Sequence, residues 1–461
     1  MDKMSPANRD EITVLSVAGI LGYGFPVESF KNAVDGGVDC IACDAGSTDP
    51  GPAYLGMGKS FTTRAAVKRD LKLMIEAGVE RRVPVLVGSA GGSGARPHVE
   101  WNLDIVDEIA RELGRRLRVA VIWADIDKAT VKKALAQGRV RPLGPVPQLT
   151  EEAIDATTHI VAQMGVEPFI KALEGEPDVV IAGRSYDPSM FAVMGIMRGY
   201  EKGVAMHMGK ILECGAIAAV PGSGSDCLVG RLGPDYFIVE PPNPKRRCTT
   251  VSVAGHTLYE KSDPYRLPGP GGMIDLTESR FEQISERAVK VTGSKYVPSP
   301  VKTLKLEGAR KVGYRTVSIA GTRDPIMIRQ IDSIIEAVKE ETRTKLTSVA
   351  PEDYTIIVHV YGKNGVMGSL EPVKETASHE LGIVIEAIAR TQDEADAVCG
   401  FARSTMLHYG YEGRKATAGN LAFLYSPSDL RGGEVYEFSM NHLLEVDDLG
   451  APFPIEFREM G

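Results

Sequence analysis

Residues 37–52 read GVDCIACDAGSTDPGP, a short apolar run that leads directly into a polar loop. The apolar run predicts a buried strand. The loop contains Asp44, Ser47 and Asp49; its prolines stiffen the backbone, and its glycines allow sharp turns or close approach to a ligand. A rigid polar loop at the carboxyl end of a buried strand is where open α/β sheets bind small molecules. The stretch therefore predicts an α/β fold with a binding site at this strand end.

Other apolar runs have the length and composition of buried strands, at residues 12–17, 83–88, 118–123 and 178–182. Segments with helical spacing or helix-start residues lie between them, such as Thr150 followed by Glu151 and Glu152. Strands separated by helices imply right-handed βαβ units. The predicted fold class is therefore α/β, with a mostly parallel sheet flanked by helices.

The 461 residues are enough for two to three domains, at a prior of roughly 150 residues each. Residues 236–320 contain more turns and β-like runs, including 249–253, and predict a β-richer insert in the first domain. We predict domains at 1–350 and 351–461. The second has strand-like runs around a long helix that follows Thr391, which predicts a small α+β module of the ferredoxin-like type.

Composition restricts the class of protein. Charged residues make up 25% of the chain and the net charge is −8, which argues against a nucleic-acid or anionic-membrane partner. No apolar run reaches the roughly 18 residues that span a bilayer, and the first ten residues lack the apolar core of a secretory signal. Six cysteines do not make a disulfide scaffold. We expect a soluble, cytoplasmic homo-oligomer with a small-molecule substrate.

Candidate site residues follow the predicted strands at one edge of the sheet. Asp44 and Asp49 are candidates for a general base, with the other carboxylate or His207 as the acid. The glycine-rich loop after the strand at 83–88 would expose successive backbone N–H groups to a carboxylate or phosphate, and arginine adds bidentate recognition. The residues predicted to bind substrate are Ser47, Ser89, Gly91, Gly92, Ser93, Arg96 and Arg184.

Two further carboxylates, Asp125 and Asp226, are candidate ligands for a divalent cation such as Mg or Mn, because clustered carboxylates suit hard cations. Ser47 and Cys214 are alternative candidates for a nucleophile. Residues 53–60, AYLGMGKS, nearly meet the phosphate-loop pattern. That loop requires a strand directly before it, and here the preceding predicted strand ends about ten residues earlier.

Several short motifs occur in a fixed order along the chain: residues 22–25 (GYGF), 44–47 (DAGS), 91–94 (GGSG), 182–187 (AGRSYD), 207–215 (HMGKILECG), 306–308 (LEG) and 313–316 (GYRT). Their succession resembles the acyclic terpene utilisation (AtuA-type) family over about residues 12–331. The remainder resembles the small AtuA-related module, which in some relatives is a separate chain. The resemblance implies catabolism of branched acyl chains, often beside acyl-CoA carboxylases and hydratases. The chain departs from the typical terpene subgroup at residues 44–49, where many members have a more apolar continuation.

Taken together, these observations predict a catabolic enzyme that acts on a small carboxylate or a branched acyl-CoA. A lyase of the hydratase or dehydratase type is favoured. The first alternative is an amide or thioester hydrolase that uses Ser47 or Cys214 as the nucleophile. The second is a non-catalytic assembly subunit of a catabolic complex, in which the C-terminal module forms an oligomer interface.

Overall fold

The computed structural model describes residues 10–461, and the chain forms two compact units over that range. The first unit extends to Arg310 and also includes Phe438–Gly461, whereas the second is Lys311–Glu437. No helix within the described range is long and apolar enough to cross a bilayer. The predicted boundary at 350/351 falls inside the second unit, because the helix Pro325–Lys345 contributes its apolar face to that unit's core.

The helices are α1 Val27–Asp35, α2 Pro52–Met57, α3 Arg64–Arg81, α4 Arg96–Leu113, α5 Lys128–Ala136, α6 Glu151–Ala156, α7 Glu167–Leu173, α8 Ser189–Met197, α9 Lys202–Leu212, α10 Thr250–Thr257, α11 Pro325–Lys345 and α12 Gln392–His408. The strands are β1 Ile12–Ser16, β2 Cys40–Asp44, β3 Val85–Gly88, β4 Leu117–Ile122, β5 Val140–Pro142, β6 Thr157–Ala162, β7 Val179–Ala182, β8 Ala219–Val220, β9 Leu228–Leu232, β10 Tyr236–Glu240, β11 Arg247–Cys248, β12 Arg266–Gly269, β13 Gly272–Asp275, β14 Arg280–Gln283, β15 Val289–Thr292, β16 Lys295–Pro298, β17 Thr303–Thr322, β18 Tyr354–Tyr361, β19 Leu381–Ala389, β20 Ala422–Phe423, β21 Asp429–Glu445 and β22 Ile455–Met460.

The main sheet of the first unit has ten strands within the described residues, in the order β14-β15-β10-β9-β1-β2-β3-β7-β4-β22. The five predicted strands β1, β2, β3, β7 and β4 are neighbours and pair in parallel. The prediction of a mostly parallel sheet is nevertheless wrong, since the other five pairings are antiparallel. Hairpin strands after residue 227 extend one edge, and β22 from the end of the chain pairs with β4 at the other.

Helices cover both faces of the parallel part of this sheet. Ile41 and Cys43 of β2 point to the face that packs against α1, α3 and α4, whereas Cys40 and Ala42 point to the face that packs against α7, α8 and α9. A strand that is buried on both faces must be apolar at nearly every position, which explains the continuous apolar runs in the sequence. Cys40 and Cys43 thus lie on opposite faces, as free, buried thiols.

The segment at 249–253, predicted as β-like, is instead the beginning of helix α10. Thr249 accepts a hydrogen bond from the backbone of Ser252, and the Ser252 side chain accepts one from the backbone of Thr249. This reciprocal capping box satisfies two free N–H groups at the helix start, so it outweighs the β propensity of the valines and threonines.

The second unit alternates strands and helices in the order β17, α11, β18, β19, α12 and β21. Its strands lie in the order β18-β19-β17-β21, and β19 is antiparallel to both neighbours. Apolar residues from α11, α12 and one side of the sheet form its core. Thr391 caps α12 as predicted, in a capping box with Glu394.

A substitution at Gly94 tests how tightly the loops after β3 and β7 are packed. Gly94 and Gly114 have similar left-handed φ angles of +68° and +61°. An added Cβ at Gly94 would lie 2.1 Å from the backbone nitrogen of Arg184, whereas at Gly114 no atom of the described residues lies within 4 Å. We expect Gly114→Ala to cost about 1–2 kcal/mol of unfolding free energy and Gly94→Ala at least about 3 kcal/mol, measured by urea denaturation. Equal losses would contradict this packing.

Candidate functional site

The carboxyl ends of the parallel strands and the end of helix α9 bring charged side chains together inside the first unit. Asp44 ends β2, Arg184 and Asp187 follow β7, and Lys210 and Glu213 lie at the end of α9. We call these five residues the polar cluster. The structure therefore brings these charged side chains together at the sheet edge where open α/β sheets bind ligands.

Asp44, the last residue of β2, is buried, with 5% of its surface exposed. It accepts a long hydrogen bond of 3.4 Å from the backbone N–H of Gly46. Burial raises its pKa well above the ordinary value, the charges of Asp187 and Glu213 raise it further, and Arg184 offsets only part of this. Asp44 therefore retains its proton to a higher pH than an ordinary aspartate.

Arg184 is fixed by a network of buried partners. Its Nε donates to Glu307 over 2.7 Å, and its Nη1 donates to the carbonyl of Ser185 at 2.7 Å and to Asp187 at 3.3 Å. The same Nη1 donates to the Ser89 hydroxyl at 3.1 Å. Burial disfavours the charge of Arg184, but Glu307 and Asp187 outweigh it and raise the pKa of the guanidinium.

Glu307 lies on β17 and balances this arginine. Its carboxylate also accepts bonds from Lys305 at 2.7 Å and from the Thr48 hydroxyl at 2.8 Å. Burial opposes ionisation, but the charges of Arg184 and Lys305 lower the pKa of Glu307 to about 2. Arg184 was predicted as a substrate ligand. In the structure it is buried, and its guanidinium donates hydrogen bonds to Glu307 and Asp187.

Lys210 and Glu213 form a buried ion pair beside Asp187. Burial disfavours the charge of Lys210, but Glu213 and Asp187 raise its pKa. Burial raises the pKa of Glu213 in spite of Lys210, and Asp187 raises it further. Burial and the adjacent Glu213 also raise the pKa of the Cys214 thiol. A reactive cysteine needs a lowered pKa, so this environment does not favour Cys214 as a nucleophile.

Three residues that the sequence analysis missed come from the end of α10 and the turn after it. The Lys210 ammonium lies 5.3 Å from the ring centre of Tyr259, and Lys261 lies 5.8 Å from that of Tyr186. His256 is buried and its ring stacks on Tyr259. No motif distinguishes this turn in the sequence, since its residue types are those of an ordinary surface loop.

The structure separates His207 from the carboxylates with which it was grouped. Its Nδ1 and Nε2 contact the hydroxyls of Ser294 at 2.7 Å and Thr257 at 3.0 Å, and two phenylalanine rings pack edge-on against it. Burial lowers its pKa to about 3. It is therefore a neutral core histidine, with both nitrogens engaged. Asp49, the other predicted catalytic residue, is exposed, and its backbone N–H donates to the Ser47 hydroxyl.

The glycine-rich loop after β3 is closed by packing and does not present an open anion nest. A Cβ at Gly92 would lie 2.4 Å from Phe61, and the Gly91 and Ser93 positions are buried. The Arg96 guanidinium lies 3.9 Å from the ring centre of Trp123, which is itself buried. Ser89 holds Arg184 and accepts the backbone N–H of Ser185, so it orders the neighbouring loop.

The two predicted metal ligands have separate partners. Asp125 accepts the backbone N–H of Arg96 at 3.0 Å, at the start of α4. Asp226 forms a buried ion pair with Arg246 at 3.1 Å and accepts a bond from Asn243. Within residues 10–461, no group of three or more His, Cys, Asp or Glu side chains is arranged to hold a metal ion. The residues present therefore do not fit the predicted divalent cation.

Comparison with known proteins gives one family match. The model of the family described as acyclic terpene utilisation family protein AtuA matches residues 14–222 and 234–423. These ranges include the whole polar cluster and almost all of the second unit. No curated protein and no solved structure matches the chain.

The buried state of His207 predicts a specific sensitivity to acid. Its pKa is about 3 in the folded chain against an ordinary 6.5, so the unfolded chain binds the proton more readily between these values. The unfolding free energy is therefore not reduced by His207 above about pH 6.5, and it decreases as the pH falls below that value. Between pH 6 and pH 4, His207 alone should lower the unfolding free energy of the wild type by about 1.4 kcal/mol for each pH unit of acidification. We expect this part of the decrease to be absent in His207→Gln. The exposed His379 offers the control, His379→Gln, with an unchanged slope.

Removing the charge of Glu307 should destabilise the first unit strongly. Glu307→Gln leaves Arg184 buried without its closest carboxylate, and breaking a buried ion pair in this way costs about 3–5 kcal/mol. Glu108→Gln is the matched control, because its ion pairs with Arg64 and Lys68 are exposed and should contribute little. Chemical denaturation of both variants measures the difference, and similar stabilities would refute the structural role of Glu307.

Proposed function

This chain belongs to the acyclic terpene utilisation AtuA family, and from that membership we propose that it is a hydro-lyase that adds or removes water from a small carboxylate or a branched acyl-CoA. The family connects the chain to the catabolism of acyclic terpenes. Hydration and dehydration of branched, unsaturated acyl chains are reactions that such catabolism requires.

The observation that carries this proposal is the pairing of unlike carboxyl groups in the polar cluster. Dehydration needs one group that accepts a proton from carbon and another that donates a proton to the departing hydroxyl. Asp44 is buried and retains its proton, whereas the Asp187 side chain is 25% exposed and is bonded to Arg184. Two neighbouring carboxyl groups in unlike surroundings, of which Asp44 has a raised pKa, are suited to opposite roles as acid and base.

In the dehydration direction, the Asp187 carboxylate removes a proton from the carbon next to the substrate carbonyl. The electron pair of that C–H bond forms the carbon–carbon double bond as the C–O bond to the hydroxyl breaks. Asp44 donates its proton to the departing hydroxyl, and water leaves. Asp187 then returns its proton to solvent, Asp44 takes one up, and hydration follows the same steps in reverse.

The cations of the polar cluster support this chemistry through their charge. Negative charge develops on the substrate carbonyl oxygen when the proton is removed from the adjacent carbon. Arg184 and Lys210 provide a fixed positive potential in a region that is largely closed to water, where electrostatic stabilisation is strongest. Their own carboxylate partners prevent them from moving as the reaction proceeds.

The hydrolase alternative has less support from the geometry. The pKa of the Cys214 thiol is raised, which reduces the fraction of reactive thiolate. The Ser47 hydroxyl accepts a local bond from the backbone of Asp49, and within residues 10–461 no histidine is hydrogen-bonded to it. Serine needs an adjacent base for nucleophilic attack. For the second unit we propose a ferredoxin-like fold, supported by its β-α-β-β-α-β element order.

Replacing Asp44 tests the acid. We expect Asp44→Asn to lower kcat by about 100-fold or more for hydration of a branched α,β-unsaturated acyl-CoA or its free acid, because the amide cannot transfer the proton. Wild-type dehydration should also decline as the pH rises through the raised pKa of Asp44. Asp104→Asn changes an exposed carboxylate on α4 and should retain full activity. Equal activity of both variants would rule out Asp44 as the acid.

A further inference from the structure

The cations around the polar cluster differ in whether they have a bonded counter-ion. Arg184 pairs with Glu307 and Asp187, Lys210 pairs with Glu213, and Lys305 pairs with Glu307. Lys261 lies beside the same cluster, yet among the residues that the structure describes no carboxylate lies within ion-pair distance of its ammonium. It is therefore a cation available to an anion from outside the protein.

Lys261 lies beside the polar cluster and is partly buried. Its ammonium lies over the buried ring of Tyr186, 5.8 Å from the ring centre, and the side chain is only partly exposed. Burial lowers the pKa of Lys261, although Asp187 and Glu213 act in the opposite direction. A partly desolvated lysine without a bonded carboxylate gains more from binding an anion than a lysine in open water does.

The backbone of this turn is strained next to Lys261. Glu260 has a φ of +60°, in the left-handed region that residues other than glycine rarely adopt. Strain of this kind persists where the surrounding structure imposes it, and it is concentrated at binding and catalytic sites. The next residue, Lys261, lies over Tyr186 and is close enough to Asp187 for the two charges to interact.

The last turn of α10, just before this turn, carries a buried polar side chain without a hydrogen bond of normal geometry. His256 is 4% exposed, and within residues 10–461 neither ring nitrogen makes such a bond, although the backbone of Ile211 lies near enough to act on its pKa. Its ring stacks on Tyr259, with centroids 5.5 Å apart, and Tyr259 in turn lies over Lys210. Buried polar groups are nearly always hydrogen-bonded, so a buried histidine that lacks a normal hydrogen bond is a candidate donor to a polar ligand.

We propose that Lys261 binds the carboxylate of a free acyclic monocarboxylic acid, with His256 donating a hydrogen bond to the same ligand. The inference rests on the proposed function and specifies its substrate as the free acid. A phosphate would carry a second negative charge, which the adjacent carboxylates Asp187 and Glu213 disfavour. A thioester carbonyl has no charge for Lys261 to neutralise. Neutralising the carboxylate also favours removal of a proton from the neighbouring carbon.

Inert, saturated compounds allow binding to be measured without turnover. The probes are 3,7-dimethyloctanoic acid, the corresponding alcohol 3,7-dimethyloctan-1-ol, and the CoA thioester of the acid, each titrated calorimetrically into the full-length protein. We expect the acid to bind at least about ten-fold more tightly than the alcohol, because only the acid makes a charge-assisted bond. In Lys261→Met this preference should disappear through loss of affinity for the acid alone.

Lys290→Met is the matched control, because Lys290 also lies over a tyrosine, 4.2 Å from the ring centre of Tyr236, but on β15. It should bind all three probes as the wild type does, and thermal melts should show all variants folded. Unchanged acid affinity in Lys261→Met, equal binding of acid and alcohol, tighter binding of the thioester than of the acid, or no binding of any probe would each overturn the proposal. Loss of acid binding in Lys261→Met with full activity in Asp44→Asn would reject the hydro-lyase mechanism and retain the carboxylate site.

Discussion

The buried ion pair between Arg184 and Glu307 is the contact on which the arrangement of the site depends. Arg184 follows β7 in the parallel part of the main sheet, and Glu307 belongs to β17, which is far away in the sequence. The same guanidinium holds Ser89 after β3 and Asp187 before α8, while Glu307 holds Thr48 after β2. Two buried charges are costly unless both are well bonded, and here nearly every polar atom is used. The pair thereby fixes several strand ends in one geometry.

This fixed geometry gives the carboxyl groups of the polar cluster different hydrogen-bond partners and different exposure to solvent. Asp44 has only a weak backbone donor and lies away from water, so its pKa is raised. Asp187 is bonded to Arg184, and its side chain is 25% exposed. Glu213 is tied to Lys210. In the proposed mechanism, the difference between acid and base thus comes from the neighbours that the loops provide, because Asp44 and Asp187 have the same side chain.

Local signals in the sequence are sufficient to predict the parallel strands and most helix starts. The apolar runs at β1, β2, β3, β4 and β7 are continuous because both faces are buried, and Thr150 and Thr391 are visible as caps. Strand β22 could not be recognised, because its alternating charged residues form an edge strand whose pairing with β4 is purely tertiary. Among the site residues, Asp44 and Arg184 were identified by their position after strands. Asp187, Lys210 and Glu213 lie in the motifs at 182–187 and 207–215, but the sequence does not show that they meet, because their proximity requires the packing of α9 against the β7 loop.

That packing depends on close backbone approach, and it explains why the shared motifs identify a family without revealing a reaction. A Cβ at Gly209 would lie 2.4 Å from the carbonyl oxygen of Pro188, and one at Gly183 would lie 2.6 Å from that of Gly94. Glycine at these positions lets α9 and the loops after β3 and β7 touch through their backbones. Lys210 follows Gly209 directly, so the same contact brings the Lys210–Glu213 pair beside Asp187. The recurring glycines are therefore requirements of assembly. In our proposal, the chemistry depends on the few charged side chains that this assembly brings together, and on the turn after α10, which no motif marks.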